Sequence, residues 1–297
     1  MPTTLRYLLL LAALPLISSP ASATAPLPAP GDPVDAYLRL PILPAATAVH
    51  QLAIGDHQVC ALLHGGATYC ISFDDATPPL PPPPDQFAAL TAGARHFCGL
   101  DATARPVCWG ADDQGQLDAP TDLLLQFDAA ADYTCAITAA AEPLCWGDIP
   151  GETPSGPFER IATAPGIICA VGPWEPSRCW GPNTTLTEPF NDAPLLLDVS
   201  RDLICGIDRS LRPRCFHSDG RVLSMPTAQA VDLAVGHSFA CTLDPTGYIE
   251  CVGPAAPDLS EAPPIAQMID AHEATLCAVT AAQSLQCWDA TGLILDY

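Results

Sequence analysis

Fourteen cysteines fall into seven pairs, and within every pair the second follows the first by ten positions: Cys60 and Cys70, Cys98 and Cys108, Cys135 and Cys145, Cys169 and Cys179, Cys205 and Cys215, Cys241 and Cys251, Cys277 and Cys287. Successive pairs begin 34 to 38 residues apart, so every cysteine belongs to one repeating unit. A period in that range marks a solenoid, a propeller or an array, and seven copies suit a propeller. About 36 residues make one small antiparallel sheet but no core of its own, so the units must bury their faces on one another.

The N-terminus reads as an export signal over residues 1–23: Arg6, an apolar run over residues 7–17, and the small-residue site Ala21-Ser22-Ala23. That run is too short for a membrane span, and no later stretch reaches the roughly 20 apolar residues a span requires. No cysteine precedes Cys60 to carry a lipid anchor. The expectation is a secreted, periplasmic or cell-surface protein without membrane insertion. In such an oxidising compartment an even cysteine count at fixed spacing reads as a disulfide framework. Zinc sites favour close C-x2-C pairs, which are absent. Each short loop so closed contributes roughly 2.5 to 3 kcal/mol by chain entropy.

The formal charge is −22, and all eleven basic residues are arginine. Such a field repels phosphate backbones and anionic lipid, which argues against nucleic-acid and general membrane partners. Solubility or a saline habitat accounts for the acidity, and a cationic partner is the sharper alternative.

Aligned on the first cysteine, the copies share further columns. Eight residues before it stand Leu52, Leu90, Phe127, Ile161, Leu197, Leu233 and Ile269; one after it come Ala61, Gly99, Ala136, Ala170, Gly206, Thr242 and Ala278. The residue after the second cysteine is aromatic or aliphatic and collects four of the five tryptophans, Trp109, Trp146, Trp180 and Trp288; a glycine follows in four copies. Short runs rich in small and β-branched residues, bounded by turn residues, predict strands. Asp244-Pro245-Thr246-Gly247-Tyr248 predicts a bulged hairpin loop with glycine in the left-handed conformation. A symmetric hairpin would set the two cysteines of a pair face to face, as a disulfide needs. The small residue beside the first cysteine predicts that this strand lies near a central axis, and the tryptophans are expected to fill the wedges between sheets.

The fold class is therefore all-β: a seven-bladed β-propeller over residues 46–297, with an intra-blade hairpin disulfide in each repeat. An N-terminal strand, near Val49-His50-Gln51-Leu52, is expected to complete the last sheet and close the ring. Residues 24–45, rich in proline, read as a leader or linker. The run Pro78-Pro79-Leu80-Pro81-Pro82-Pro83-Pro84 reads as a stiff connector between the first two units, with a polyproline II ligand as the alternative.

Cys108-Trp109-Gly110-Ala111-Asp112-Asp113-Gln114-Gly115-Gln116-Leu117, with Gly93, His96 and Cys98-Gly99-Leu100 upstream, resembles the repeat of the regulator of chromosome condensation family. The likeness runs through all seven units and decays outside the second to Cys145-Trp146-Gly147, Cys179-Trp180-Gly181 or Cys215-Phe216-His217. It implies a seven-bladed propeller. The nucleotide-exchange and chromatin roles of the founding nuclear member do not suit an exported acidic chain. Secreted bacterial propellers of this repeat type, including one that docks a rim on β-lactamases, are the nearer comparison, and fold alone assigns no partner.

No constellation for catalysis, metal or cofactor stands out. The seven histidines occupy scattered repeat positions, with only His57, His96 and His237 in one approach segment. Asp74-Asp75 and Asp112-Asp113 lack the alternating oxygens of a calcium loop. Phosphate loops, nucleophile elbows and H-E-x-x-H motifs are absent. Two features are binding candidates. Trp174 lies at the fourth hairpin turn, outside the tryptophan column, where it could anchor an interface. Arg209, Arg212 and Arg214, with Arg201 and Arg221, put five of eleven arginines within 21 residues; they either pair with acids of adjacent units or form an anion- or carboxylate-binding sector. The expected function is a non-catalytic monomeric scaffold that binds a protein through the loops of one rim. A cell-surface lectin is the alternative, and an exported hydrolase with an acidic pocket a third. Asn183-Thr184-Thr185 fits the N-glycosylation pattern.

Overall fold

Every cysteine pair sits at the heart of its own antiparallel sheet. The computed structural model describes residues 48–73, 78–173, 176–225, 229–260 and 265–297, so the signal and leader lie outside the described residues. Among the latter there is no helix. The strands are Val49–Ile54 (β1), Gln58–Leu63 (β2) and Thr68–Ser72 (β3) in the first sheet; Phe87–Ala92 (β4), His96–Asp101 (β5) and Pro106–Gly110 (β6) in the second; Leu124–Ala130 (β7), Tyr133–Thr138 (β8) and Pro143–Gly147 (β9) in the third; Arg160–Ala164 (β10), Ile167–Val171 (β11) and Arg178–Trp180 (β12) in the fourth. The fifth has Leu196–Val199 (β13), Leu203–Ile207 (β14), Pro213–His217 (β15) and Val222–Leu223 (β16); the sixth Asp232–Gly236 (β17), Phe239–Leu243 (β18) and Ile249–Val252 (β19); the seventh Ala266–His272 (β20), Thr275–Thr280 (β21), Leu285–Asp289 (β22) and Gly292–Asp296 (β23).

Within each sheet the second and third strands form the hairpin, and its two cysteines face each other in register. All seven disulfides are formed as the spacing predicts: Cys60 is bonded to Cys70, Cys98 to Cys108, Cys135 to Cys145, Cys169 to Cys179, Cys205 to Cys215, Cys241 to Cys251 and Cys277 to Cys287, with Cα atoms 4.0 to 4.1 Å apart. The two ends of a bridge differ in cover. Every first cysteine is fully buried, whereas Cys70, Cys108, Cys145 and Cys251, on the outer arm, are only partly so. Cys215 and Cys287 are buried because a fourth strand sets Leu223 and Leu295 opposite them.

The turn between the cysteines repeats as well. The residue six after the first cysteine takes a left-handed backbone whether it is Gly66, Ala104, Ala141, Leu211, Gly247 or Gln283, the bulge position of a three-residue hairpin loop. Its carbonyl then accepts from the N–H that enters the next sheet: Phe87 to Gly66, Leu124 to Ala104, Phe158 to Ala141, Ala230 to Leu211 and Ala266 to Gly247.

The shared columns are the packing code. The large apolar residue eight before the first cysteine lies opposite the small residue one after it: Leu52 opposite Ala61, Phe127 opposite Ala136, Ile269 opposite Ala278. At Gly99 a Cβ would stand 2.3 Å from the Phe87 ring, so the missing side chain is the seat of an aromatic. Among the described residues seven apolar cores form, each between two sheets. Ala53, Cys60 and Leu62 of the first sheet meet Phe87, Phe97 and Trp109 of the second, and Trp109 stacks on both phenylalanines at 5.6 and 5.7 Å. Cys98 and Leu100 likewise meet Trp146, and Ala234 and Phe239 meet Trp288, which is fully buried. The tryptophans do fill the wedges.

Two expectations are corrected. The strand nearest the axis is the one before the first-cysteine strand: β1, β4, β7, β10, β13, β17 and β20 lie each against the next, and β20 lies against β1. The small-residue column serves the wedge, where a Phe or Leu needs the room. The last sheet takes its fourth strand from Gly292–Asp296, while Val49–Ile54 pairs inside the first sheet. The two sheets meet through side chains, with Cys277, Val279, Cys287 and Leu295 packed on Val49, Leu52 and Ile54. The Val49 N–H there donates to Gln283 Oε1 at 3.1 Å.

Candidate functional site

The first strands of all seven sheets line one cavity of about 250 Å³. Strands splayed around an axis cannot pair with one another, which leaves backbone groups facing the gaps. Side chains satisfy them. Gln51 accepts from the Leu90 N–H and donates to its carbonyl, at 2.9 and 2.7 Å; Gln126 does the same for Ile161 at 2.6 and 2.9 Å. Thr91 Oγ1 accepts from the Ala129 N–H and donates to Asp128 Oδ1. Asp128 Oδ2 accepts from both the N–H and hydroxyl of Thr163. The Val235 N–H donates to Asp198 Oδ2 at 2.8 Å and the Ile269 N–H to Asp232 Oδ2 at 3.0 Å. Each bond crosses from one sheet to the next.

Removal from water makes these carboxylates hard to ionise. Burial pushes Asp128 up to about 6, against the pull of its Thr91 and Thr163 bonds. Burial and the nearby Asp128 charge push Asp198 up to about 8. Asp232 is raised by burial, and Asp270 is held well above the ordinary carboxylate range by burial and by Asp198. Sequence reasoning missed this set, although for three of the four the position seven before the first cysteine carries the signal: Ala53, Thr91, Asp128, Ala162, Asp198, Ala234 and Asp270, while Asp232 stands nine before Cys241. The acids there alternate with small residues.

Loops joining first and second strands form one rim, and it is charged. His272 pairs with Asp56 at 2.9 Å and holds that carboxyl below its ordinary value; Arg95 pairs with Asp113 at 2.9 Å and approaches Asp132 at 3.8 Å. Arg201 meets Glu273 at 3.8 Å. Ser238, His237 and Asp202 are adjacent but in the wrong order for a nucleophile: the Ser238 hydroxyl donates to Asp202 Oδ2 at 2.6 Å, and His237 reaches the same carboxylate at 3.7 Å. His96, apart from His57 and His237 in another sheet, is fully buried with Nε2 on Thr134 Oγ1. Desolvation lowers it to about 4. Among the described residues no three His, Cys, Asp or Glu side chains converge on a metal position. Asp112 accepts from the Leu117 N–H, and Asp74-Asp75 lies outside the described residues.

The opposite rim, made of the hairpin turns and the entries to the first strands, is different. Exposed large apolar residues collect there. Leu123 and Leu125 lead into the third sheet and Tyr69 opens the hairpin's second arm in the first; Val231 and Tyr248 belong to the sixth, Ile265 and Tyr297 to the seventh. The fifth turn carries Arg209 and Arg212. Neither has an acid within ion-pair distance among the described residues, so pairing with adjacent sheets does not account for them. Arg214 meets Asp208 of its own sheet at 3.8 Å, and Arg221 meets Asp219, two residues away. Trp174 lies outside the described residues.

No family profile matches the chain, and no curated protein matches it. Solved structures do. The CRINKLY WD40 ectodomain of the Arabidopsis thaliana receptor kinase ACR4 aligns at 18% identity over 84% of this chain and 99% of that one, with a TM-score of 0.69. The entire ectodomain of the Physcomitrella patens receptor kinase CR4 aligns at 20% identity over 82% and 73%, with a TM-score of 0.66. Prp20p from Saccharomyces cerevisiae aligns at 12% over 69% and 72%, with a TM-score of 0.58. At these identities the likeness is one of fold: the chain is a β-propeller of disulfide-bonded repeats.

Proposed function

We propose that this protein is an exported, non-catalytic, seven-bladed propeller that binds a protein partner through the loops of one rim. Closure of the ring is part of the proposal; the run of first-strand neighbours back from β20 to β1 supports it. Seven intrachain disulfides favour an oxidising compartment outside the cytoplasm. One observation carries the functional reading. Asp128 and Asp198 of the axial cavity spend carboxylate oxygens on backbone groups of the next sheet, whereas Arg209 and Arg212 stand on a rim and make no ion pair among the described residues. Prp20p, a similar fold, is described with binding properties to Gsp1p and histones, which illustrates proteins as ligands of this scaffold without assigning one here.

Affinity capture with the mature chain from its native extracellular material tests the reading: recovery of a protein in stoichiometric yield is expected. Recovery of glycans alone would favour the lectin instead. The axial carboxylates are where a hydrolase would have to work; there Asp128 and Asp198 each hold a backbone N–H group of the next sheet, and Asp270 holds the Ala271 N–H.

A further inference from the structure

Exposed apolar residues and guanidinium groups gather on the hairpin-turn rim, and their gathering identifies a docking face. We infer that the hairpin-turn rim over the fifth, sixth and seventh sheets binds a protein whose contact surface is apolar and flanked by carboxylates. This rests on the partner-binding reading above and adds the rim and the partner's chemistry.

Contiguity comes first. Arg209 and Arg212 flank Leu211, whose carbonyl accepts from the Ala230 N–H at 2.8 Å, next to Val231. One sheet on, Gly247 accepts from the Ala266 N–H at 2.9 Å and packs against the Ile265 side chain, with Tyr248 as its neighbour. Tyr297 pairs with Leu285, at the same end of the seventh sheet, through two backbone bonds of 2.7 and 2.9 Å. Two arginines, Val231, Tyr248, Ile265 and Tyr297 therefore stand side by side along one arc.

Composition comes second. Tyr248 is 63% exposed, Ile265 48% and Tyr297 46%. Large apolar residues gathered on one face rather than scattered mark an interaction surface, and Tyr and Arg are the residues that anchor interfaces. The turns are fixed by Asx bonds: the Ser210 and Arg212 N–H groups donate to Asp208 Oδ1, and the Thr246 and Tyr248 N–H groups to Asp244 Oδ1. Binding would thus order little backbone.

Charge selects the occupant. In a chain of charge −22, Arg209, with no ion pair among the described residues, and Arg212, which shares Asp208 with Arg214, leave guanidinium charge that calls for carboxylates from outside, in the planar geometry a guanidinium favours. A second copy would set the same arginines against each other inside two strongly negative bodies, and an anionic membrane or nucleic acid would meet the field of the whole molecule.

The test places a photoreactive benzoylphenylalanine at Val231 on the docking rim, or at Gln114 on the opposite rim, in the full chain, and irradiates each with the native extracellular material. The expected result is one protein cross-linked from Val231 and not from Gln114. Its yield should fall at least tenfold with Arg209→Glu/Arg212→Glu, and equally when the material's carboxylates are first amidated with glycinamide. Arg209→Gln/Arg212→Gln serves where the charge reversal misfolds, checked by recovery of all seven disulfides. A partner cross-linked only from Gln114, or one indifferent to amidation and to both arginine variants, overturns this inference and leaves protein binding intact. No cross-linked protein from either position removes both.

Discussion

Leu211 holds a left-handed backbone (φ 62°) at a position where two other copies of the repeat use glycine, Gly66 and Gly247. An L side chain there costs about 1 kcal/mol or more through the clash of Cβ with the following carbonyl, and what it returns is chain stiffness in the unfolded state. Leu211→Gly should therefore raise stability by about 0.5 to 1 kcal/mol, read as a higher midpoint in urea unfolding at unchanged slope; a lowered midpoint would show that the leucine side chain contributes packing that outweighs its strain. Gly110 is the opposite case. Its φ is 113°, and a Cβ would sit 2.5 Å from the Arg95 carbonyl oxygen, an atom of the backbone that cannot swing aside. Gly110→Ala should cost about 2 to 4 kcal/mol, and a neutral result in the same unfolding assay would contradict the geometry.

Each disulfide ties two strands of one sheet and none ties sheet to sheet, so the covalent framework stiffens elements while the wedges between them hold the array together. The double variant Cys135→Ala with Cys145→Ala should cost about 3 kcal/mol from loop entropy, and more from the packing that Cys135 makes on Ile161 and Ala170 of the fourth sheet. Peptide mapping without reductant should still find the other six bridges intact; scrambled pairs would mean the sheets do not fold as local units. Trp146 is the complementary probe. It is nearly buried and donates from Nε1 to the Gln116 carbonyl at 3.0 Å, so Trp146→Ala should cost about 3 to 5 kcal/mol, measured by the same unfolding. At this scale the sequence was largely legible, because facing cysteines, the left-handed turn residue and the paired large and small columns are local and repeat seven times. The order of strands from the axis was not. A small residue is needed equally at a crowded axis and under the Phe87 ring, and only the relation between sheets separates the two.

What local patterns leave open at the scale of the whole molecule is how the sheets meet, and the axial acids belong to that level. Asp128, Asp198, Asp232 and Asp270 look like four more surface acids until the first strands converge. Their convergence fixes the direction in which stability should change with pH. In the unfolded chain each ionises near 4, while in the folded one burial raises Asp128 to about 6 and Asp198 to about 8. A group that holds its proton more tightly when folded stabilises fully below its unfolded value, and that contribution disappears as pH rises through its folded value. Thermal stability should accordingly be highest in mild acid and decline from about pH 5 to pH 9, by on the order of a few kcal/mol. Below about pH 4 it should fall again, as turn acids such as Asp101 and Asp244, held low by their hydrogen bonds, become protonated. Asp198→Asn keeps an oxygen for the Val235 N–H without the charge. It should flatten the decline and leave the variant more stable than the parent at pH 9; a parent equally stable at pH 5 and pH 9 would mean that these carboxylates are solvated in the cavity and ionise at their ordinary values.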